Sequence, residues 1–191
     1  MMESVLVFCG SSTGKLPIYA EAAQHLGETL AARGLTTVYG AGNIGLMGIL
    51  ADAALDKGGK VVGVIPHFLK EKEVCHEHLT ELYLVDTMDE RKKKMAEVSD
   101  AVITLPGGFG TLDELFEMAT LVQLGQDYQP IGILNVDGYF DPLLQQIDRM
   151  IADGFVKEAQ RDLIIIDEDA SRLLDRLAAH QVERVEKWAD R

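Results

Sequence analysis

Short apolar, β-branched runs recur along this chain, each followed by a glycine-containing turn and a segment with helical spacing. That alternation restricts the fold more than any other feature. Val5-Leu6-Val7-Phe8-Cys9 leads into the polar turn Gly10-Ser11-Ser12-Thr13-Gly14-Lys15. A helix then opens near Pro17, a residue suited to a first helical position, and carries Tyr19, Ala22, Ala23, Leu26 and Leu30 until Gly34. Leu35 to Tyr39 is a second strand, Gly40-Ala41-Gly42-Asn43-Ile44-Gly45 opens a helix through Leu46 to Asp56, and Gly58-Gly59 closes it before the strand Lys60 to Ile65. Further strands are expected at 82–85, 101–105, 131–134 and 163–166, with helices over 87–99, 140–153 and 170–188. Strands this apolar, separated by helices, predict an α/β fold: a Rossmann-like three-layer sandwich with a parallel sheet and helices on both faces. No linker, low-complexity segment or repeat divides residues 1–191, so one nucleotide-binding domain is expected. Residues 66–80 are the one long polar connection, and their length marks a binding loop or lid.

In such a sheet, ligands sit beyond the carboxyl ends of the strands, where the loops 10–15, 40–45, 66–80 and 106–111 gather. Pro106-Gly107-Gly108-Phe109-Gly110-Thr111-Leu112-Asp113-Glu114 is the most pointed of these. It joins the strand Ala101 to Leu105 to a helix through Leu124. Glycines let the backbone turn tightly with its N–H groups exposed, and the new helix adds unpaired donors and a positive dipole end. This corner attracts an anion, most often phosphate, and Glu114 then faces whatever carries it. Two plainer readings stand beside that one. The glycines can serve the turn alone, and Thr111-x-x-Glu114 matches a capping box.

Composition narrows the function. The formal net charge is −13, which opposes nucleic-acid binding by bulk electrostatics and attachment to an anionic membrane surface, yet leaves room for a single phosphorylated metabolite held by local donors. With only Cys9 and Cys75, no disulfide framework is expected. The N-terminus has no basic region and no run approaches a membrane span, so a cytoplasmic location is expected.

Several familiar motifs fail on context. Gly40-x-Gly42-x-x-Gly45 matches a dinucleotide fingerprint formally, but it follows the second strand, and the next strand ends Ile65-Pro66 without an acidic residue for a ribose. Gly10 to Lys15 is one residue short of a P-loop, with Leu16 where magnesium-binding Ser or Thr would stand. Gly-x-Ser-x-Gly is absent. Cys75, His76 and His78 are too closely spaced for good chelation and read as an ordinary exposed loop, so no metal is expected. Arg91 and Lys92, by contrast, sit in the first turns of a helix, where cations are disfavoured by a few tenths of a kcal/mol. Binding an anionic substrate at the ligand edge explains why they are tolerated there.

Taken together and in order, several stretches resemble the LONELY GUY (LOG) family of cytokinin riboside 5′-monophosphate phosphoribohydrolases, formerly labelled "possible lysine decarboxylases". They are Phe8-Cys9-Gly10-Ser11-Ser12, Gly45-Leu46-Met47-Gly48, Gly63-Val64-Ile65-Pro66, Met88-x-x-Arg91-Lys92-x-x-Met95, Pro106-Gly107-Gly108-Phe109-Gly110-Thr111-x-x-Glu114, Gln123-Leu124-Gly125 and Leu134-Asn135-x-x-Gly138. The resemblance implies hydrolysis of the N-glycosidic bond of a purine nucleoside 5′-monophosphate (AMP or an N6-modified, cytokinin-type nucleotide) to free base and ribose 5-phosphate, without a cofactor. It implies Arg91 and Glu114 as the catalytic pair. Gly108, Gly110 and Thr111 would hold the phosphate, and Glu73, Lys92, Gly107, Phe109 and Thr120 would be among the substrate contacts. A homodimer is implied as well. Asp89 and Leu121 depart from residues common in the family, His and Trp, at or near the pocket. Since related folds include molybdenum-cofactor carriers, the alternative is a nucleotide- or cofactor-binding protein without turnover.

Overall fold

The computed structural model describes residues 2–70, 75–127 and 129–180. Seven strands alternate with helices in the expected order: β1 (Ser4–Phe8), α1 (Pro17–Ala32), β2 (Thr36–Tyr39), α2 (Gly45–Asp56), β3 (Val61–Pro66), α3 (His67–Lys70), β4 (Glu81–Val85), α4 (Met88–Glu97), β5 (Ala101–Thr104), α5 (Phe109–Gln123), β6 (Ile131–Leu134), α6 (Asp141–Ala152), β7 (Ile164–Asp167) and α7 (Ala170–Ala179). They pair in parallel as one sheet of order β4-β3-β2-β1-β5-β6-β7.

Alternation along each strand divides the core into two layers. Val5 and Val7 of β1, and Cys9 just after it, face α1, α2 and α7 through Leu26, Leu30, Leu46, Leu50, Leu173 and Leu177. Leu6 and Phe8 face the opposite way, against Met95 of α4, Leu115, Met118 and Val122 of α5 and Phe140 beside α6. Period-2 packing thus gives β1 two buried faces, which is why it reads as a continuous apolar run.

Three local features differ from the sequence expectations. The connection after β3 begins with the four-residue helix α3. A 3-10 segment, Glu158–Leu163, precedes β7. Helix α7 ends at Ala179, where His180 turns extended (φ −75°, ψ 129°); the rest of the helix expected as far as Trp188 falls on residues 181–191, outside the described set. Among the described residues, no helix is long and apolar enough to cross a membrane.

Strand order reverses its direction of growth at β1, with β2 on one side and β5 on the other. The loops leaving the carboxyl ends of β1 and β5 therefore run to opposite faces and open a crevice between them.

Candidate active site

The crevice is held in shape by backbone bonds between its two walls. Leu105 N–H donates to Phe8 O at 2.8 Å, Gly10 N–H to Pro106 O at 3.1 Å, and Leu46 N–H to Gly10 O at 3.0 Å. A side chain on Gly107 would collide with Thr111 Oγ1 at 2.1 Å and Gly10 N at 2.9 Å, so Gly107 is glycine because the Thr111 side chain and the Gly10 backbone close on it. Gly108 and Gly110 differ. A Cβ at either would meet nothing within 4 Å, and Gly108 (φ −98°) needs no left-handed backbone. Their open side is the surface a ligand would approach.

Helix α5 begins at Phe109 with Gly108 as its N-cap, and no side chain caps it. Its first intrahelical acceptor is Gly108 O, taken by Leu112 N–H at 3.1 Å, which leaves the N–H groups of Phe109, Gly110 and Thr111 without a helical carbonyl. The capping-box reading of Thr111 and Glu114 is thereby corrected: Thr111 is the third helical residue and Glu114 the sixth, so Thr111 is not the N-cap and Glu114 lies beyond the N3 position of a capping box. A side chain leans toward the N-terminus of its helix, which turns Glu114 back along α5.

Helix α4 supplies the cation. Its N-cap is Thr87, whose hydroxyl accepts from Glu90 N–H at 3.1 Å. Arg91 is buried and points over the ends of β2 and β3. Its Nε–H donates to Val64 O at 3.1 Å and its Nη2–H to Gly40 O at 2.7 Å, while Nη1 lies 3.9 Å from Met88 sulfur. A Cβ on Gly40 would stand 2.1 Å from Arg91 Nη2. The first glycine of the failed dinucleotide fingerprint is therefore the space that Arg91 occupies. Two of the five guanidinium donors are committed to carbonyls and a third to the Met88 sulfur, which leaves two that can serve a ligand.

Arg91 and Glu114 line the same cavity, about 340 Å³, together with Cys9, Gly10, Ser11, Gly40, Gly108, Phe109, Gly110, Thr111 and Asp113. Burial pushes the Glu114 carboxyl up to about 7; Arg91 and Lys92 restrain it, and Asp113 and Glu117 push it further. Burial, with a smaller contribution from Glu114, pushes the Cys9 thiol far above its ordinary value, so Cys9 is no nucleophile at neutral pH. Phe109 stands almost fully exposed, 95%, at the rim.

Lys92 faces the other way along α4 and is ion-paired with Asp113 (2.9 Å) and Glu117. Burial lowers its pKa, but the bonds to Glu117 and Asp113 outweigh that and raise it. Thr120 is exposed, its hydroxyl donating to Phe116 O at 2.7 Å, and lies nine residues beyond Thr111, about 14 Å along the helix. It does not meet the glycine corner. Glu73 falls outside the described residues. Asp89 turns outward to pair with Lys93 at 3.1 Å, so it does not line the cavity. Leu121 lines a second cavity, about 670 Å³, that shares Phe8 and Glu114 with the first.

The loop after β3 is not the ordinary exposed loop its polarity suggests. His76 is buried, with Nε2 bonded to Asp52 Oδ1 at 2.9 Å and Nδ1 accepting His78 N–H at 3.2 Å. Its own N–H donates to Ala41 O at 3.0 Å, and Cys75 bridges Gly42. This clamp holds the turn whose Gly40 carbonyl orients Arg91. Among the described residues, no His, Cys, Asp and Glu group has the geometry to hold a metal ion.

Comparison with known proteins identifies the family. The family model described as "possible lysine decarboxylase" matches residues 47–177. Cytokinin riboside 5′-monophosphate phosphoribohydrolase LOG5 of Arabidopsis thaliana is 46% identical over 93% of this chain and 78% of its own length. The chain belongs to the LONELY GUY family. Another LOG relative, the cytokinin riboside 5′-monophosphate phosphoribohydrolase LOG of Oryza sativa subsp. japonica, is 45% identical over 94% of this chain and 74% of that protein. Solved structures with the same fold include the molybdenum cofactor binding protein of Rippkaea orientalis (TM-score 0.69, 19% identity, 94% of this chain and 97% of that one). The molybdenum cofactor carrier protein of Chlamydomonas reinhardtii has TM-score 0.68 and 17% identity over 94% of this chain and 100% of that one. At those identities the structural likeness shows the fold alone, while the sequence relatives carry the family.

Proposed function

We propose that residues 1–191 form one nucleotide-binding domain that hydrolyses the N-glycosidic bond of purine nucleoside 5′-monophosphates, AMP or its N6-modified cytokinin-type counterparts, releasing free base and ribose 5-phosphate. The observation that carries this reading is the convergence of Arg91, Glu114 and the uncapped N-terminus of α5 on one cavity. The substrate's phosphate sits against the N–H groups of Gly108, Phe109, Gly110 and Thr111, where dipole and unpaired donors favour an anion. Glu114 lies six residues beyond Gly108, about 9 Å along the axis less the backward lean of its side chain, a span that suits a ribose.

In the reaction, water adds to the anomeric carbon as the carbon–nitrogen bond breaks, the bonding electrons leave with the base, and the ring carries positive charge on the way. A carboxylate at Glu114 stabilises that charge and accepts the proton of the attacking water, and that proton is then passed to the departing nitrogen so that the base leaves neutral and the carboxylate is regenerated. Its pKa near 7 lets it gain and lose a proton at neutral pH. Arg91, anchored on two carbonyls, presents its remaining donors to the nucleotide. The reading retains Lys92, Gly107, Thr120 and Glu73 as secondary contacts or supports, Lys92 acting through Asp113 and Glu117. A cytoplasmic homodimer belongs to the same reading, and sedimentation of the purified protein tests the assembly.

The older decarboxylase label would require a lysine able to form a Schiff base, which needs a depressed pKa. Lys92, beside the cavity, does not fit: its two carboxylate partners hold the ammonium charged. A carrier without turnover, for its part, has no use for a half-buried carboxylate poised near neutrality. Purified protein incubated with AMP, its N6-isopentenyl derivative and the other nucleoside monophosphates should release free base, and release from none of them would overturn the proposal.

A further inference from the structure

Tyr139 has no part in the site as described, yet its hydroxyl donates to Gly107 O at 2.5 Å across 32 residues of sequence. The ring is set edge-on against Tyr19 (centroids 5.6 Å apart) and Phe140 (4.9 Å). The turn that delivers it is strained. Asp137 (φ 52°) and Gly138 (φ 67°) are consecutive left-handed residues, a conformation that costs a non-glycine residue on the order of 1 kcal/mol. Asn135 stabilises that turn. Its Oδ1 accepts Phe140 N–H at 2.9 Å, its Nδ2 donates to Asp141 Oδ1 at 2.8 Å, and its own N–H donates to Asp167 O at 2.8 Å. Asn135-x-x-Gly138, otherwise unexplained by the chemistry, therefore serves to place Tyr139.

What Tyr139 grips matters because a trans peptide plane carries its C=O and the following N–H in opposite directions. With Gly107 O turned toward Tyr139, on the side of a small pocket lined by Ser11, Ser12, Thr13 and Tyr19, the Gly108 N–H is turned away from it. Gly108 also borders the cavity of Arg91 and Glu114. Gly107-Gly108 has no side chains to resist rotation of this peptide, so one strong external bond decides its orientation. We propose that Tyr139 is a positioning residue that locks the Gly107–Gly108 peptide with its N–H presented to the substrate's phosphate. This deepens the phosphate assignment above and rests on it.

Tyr139→Phe keeps the ring and its contacts with Tyr19 and Phe140 and removes only the hydroxyl. The expected result is a rise of about tenfold in KM for the nucleoside 5′-monophosphate with kcat within about twofold, the size of effect one hydrogen bond commands. Inhibition by inorganic phosphate should weaken by the same factor, and inhibition by free adenine should not change. Direct titration of inorganic phosphate into the two proteins reads the same difference without turnover, so a failure of the enzymatic reading is separable from a failure of this one. Tyr139→Leu should lose the same phosphate affinity and also melt earlier. Unchanged phosphate affinity in Tyr139→Phe, or a loss confined to kcat, would overturn the proposal.

Discussion

Replacing Glu114 by glutamine should remove base release and at the same time make the protein more stable. The carboxyl rises from its ordinary 4.5 to about 7 in the folded protein, with burial the largest cause. An acid whose folded pKa is raised favours the folded state when protonated. Wild-type stability is therefore fully present below about pH 4.5, falls as pH rises toward 7, and is level above that. At about 1.4 kcal/mol per pH unit, the rise sets a ceiling of about 3 kcal/mol on what ionised Glu114 costs. Water in the cavity lowers that to about 1–3 kcal/mol. Glutamine has the same shape and no charge to bury. Urea or thermal unfolding at about pH 5 and about pH 8 should show Glu114→Gln close to wild type at the lower pH and more stable by 1–3 kcal/mol at the higher, or several degrees in melting temperature for a chain of this size. A gap that is equal at both pH values, or a variant less stable at pH 8, would refute the account of Glu114 as a desolvated, ionisable group.

Other expectations follow from the same geometry. The pH profile of kcat/KM should fall as pH drops through about 7, because the carboxylate form is the working one; a flat profile from pH 5 to 8 would contradict that role. Arg91→Ala should abolish base release and destabilise by about 1–3 kcal/mol by leaving the Val64 and Gly40 carbonyls without their donor, measured by turnover and by denaturant unfolding. Gly110→Ala should leave stability unchanged or raise it by up to about 1 kcal/mol, since a Cβ there meets open space and alanine is the better helix former. It should nonetheless weaken inorganic phosphate binding in a titration, because that open space is the ligand's. Asp167→Asn should destabilise: Arg172 and Arg176 bond this buried carboxylate, Arg172 foremost, and hold its pKa well below the ordinary range. That stability is present above the ordinary carboxylate pKa and lost as pH falls below it, so the difference between variant and wild type should shrink in acid unfolding.

Much of the architecture was legible because the central strands β1, β3, β5 and β6 are buried on both faces and so are almost wholly apolar, while α1, α2, α5 and α7 each bury a turn-spaced apolar face. The anion corner was legible for a related reason: glycines at 108 and 110 satisfy no packing need. Arg91 stood out through its misplaced charge at a helix start, although its anchoring on Gly40 and Val64 carbonyls could not be read, since those partners lie 51 and 27 residues away. Glu114 was ambiguous because Thr-x-x-Glu spacing is the same whether the helix begins at the threonine or three residues earlier. Only the position of the Gly108 cap resolves it. Lys92 looked like a substrate contact because the sequence shows its charge but not that Asp113 and Glu117 already neutralise it. His76 looked exposed because polarity alone does not reveal a partner such as Asp52 on the distant helix α2. Tyr139 carried no signal beyond the Asn135-x-x-Gly138 turn before it.

The most direct test of the central claim is chromatographic analysis of purified protein incubated with AMP and, separately, with adenosine. The account predicts free adenine and ribose 5-phosphate in equal amounts from AMP, much slower release from adenosine, which lacks the phosphate that the start of α5 would hold, and no release by Glu114→Gln. AMP recovered intact, or adenine released equally well from AMP and adenosine, would contradict it.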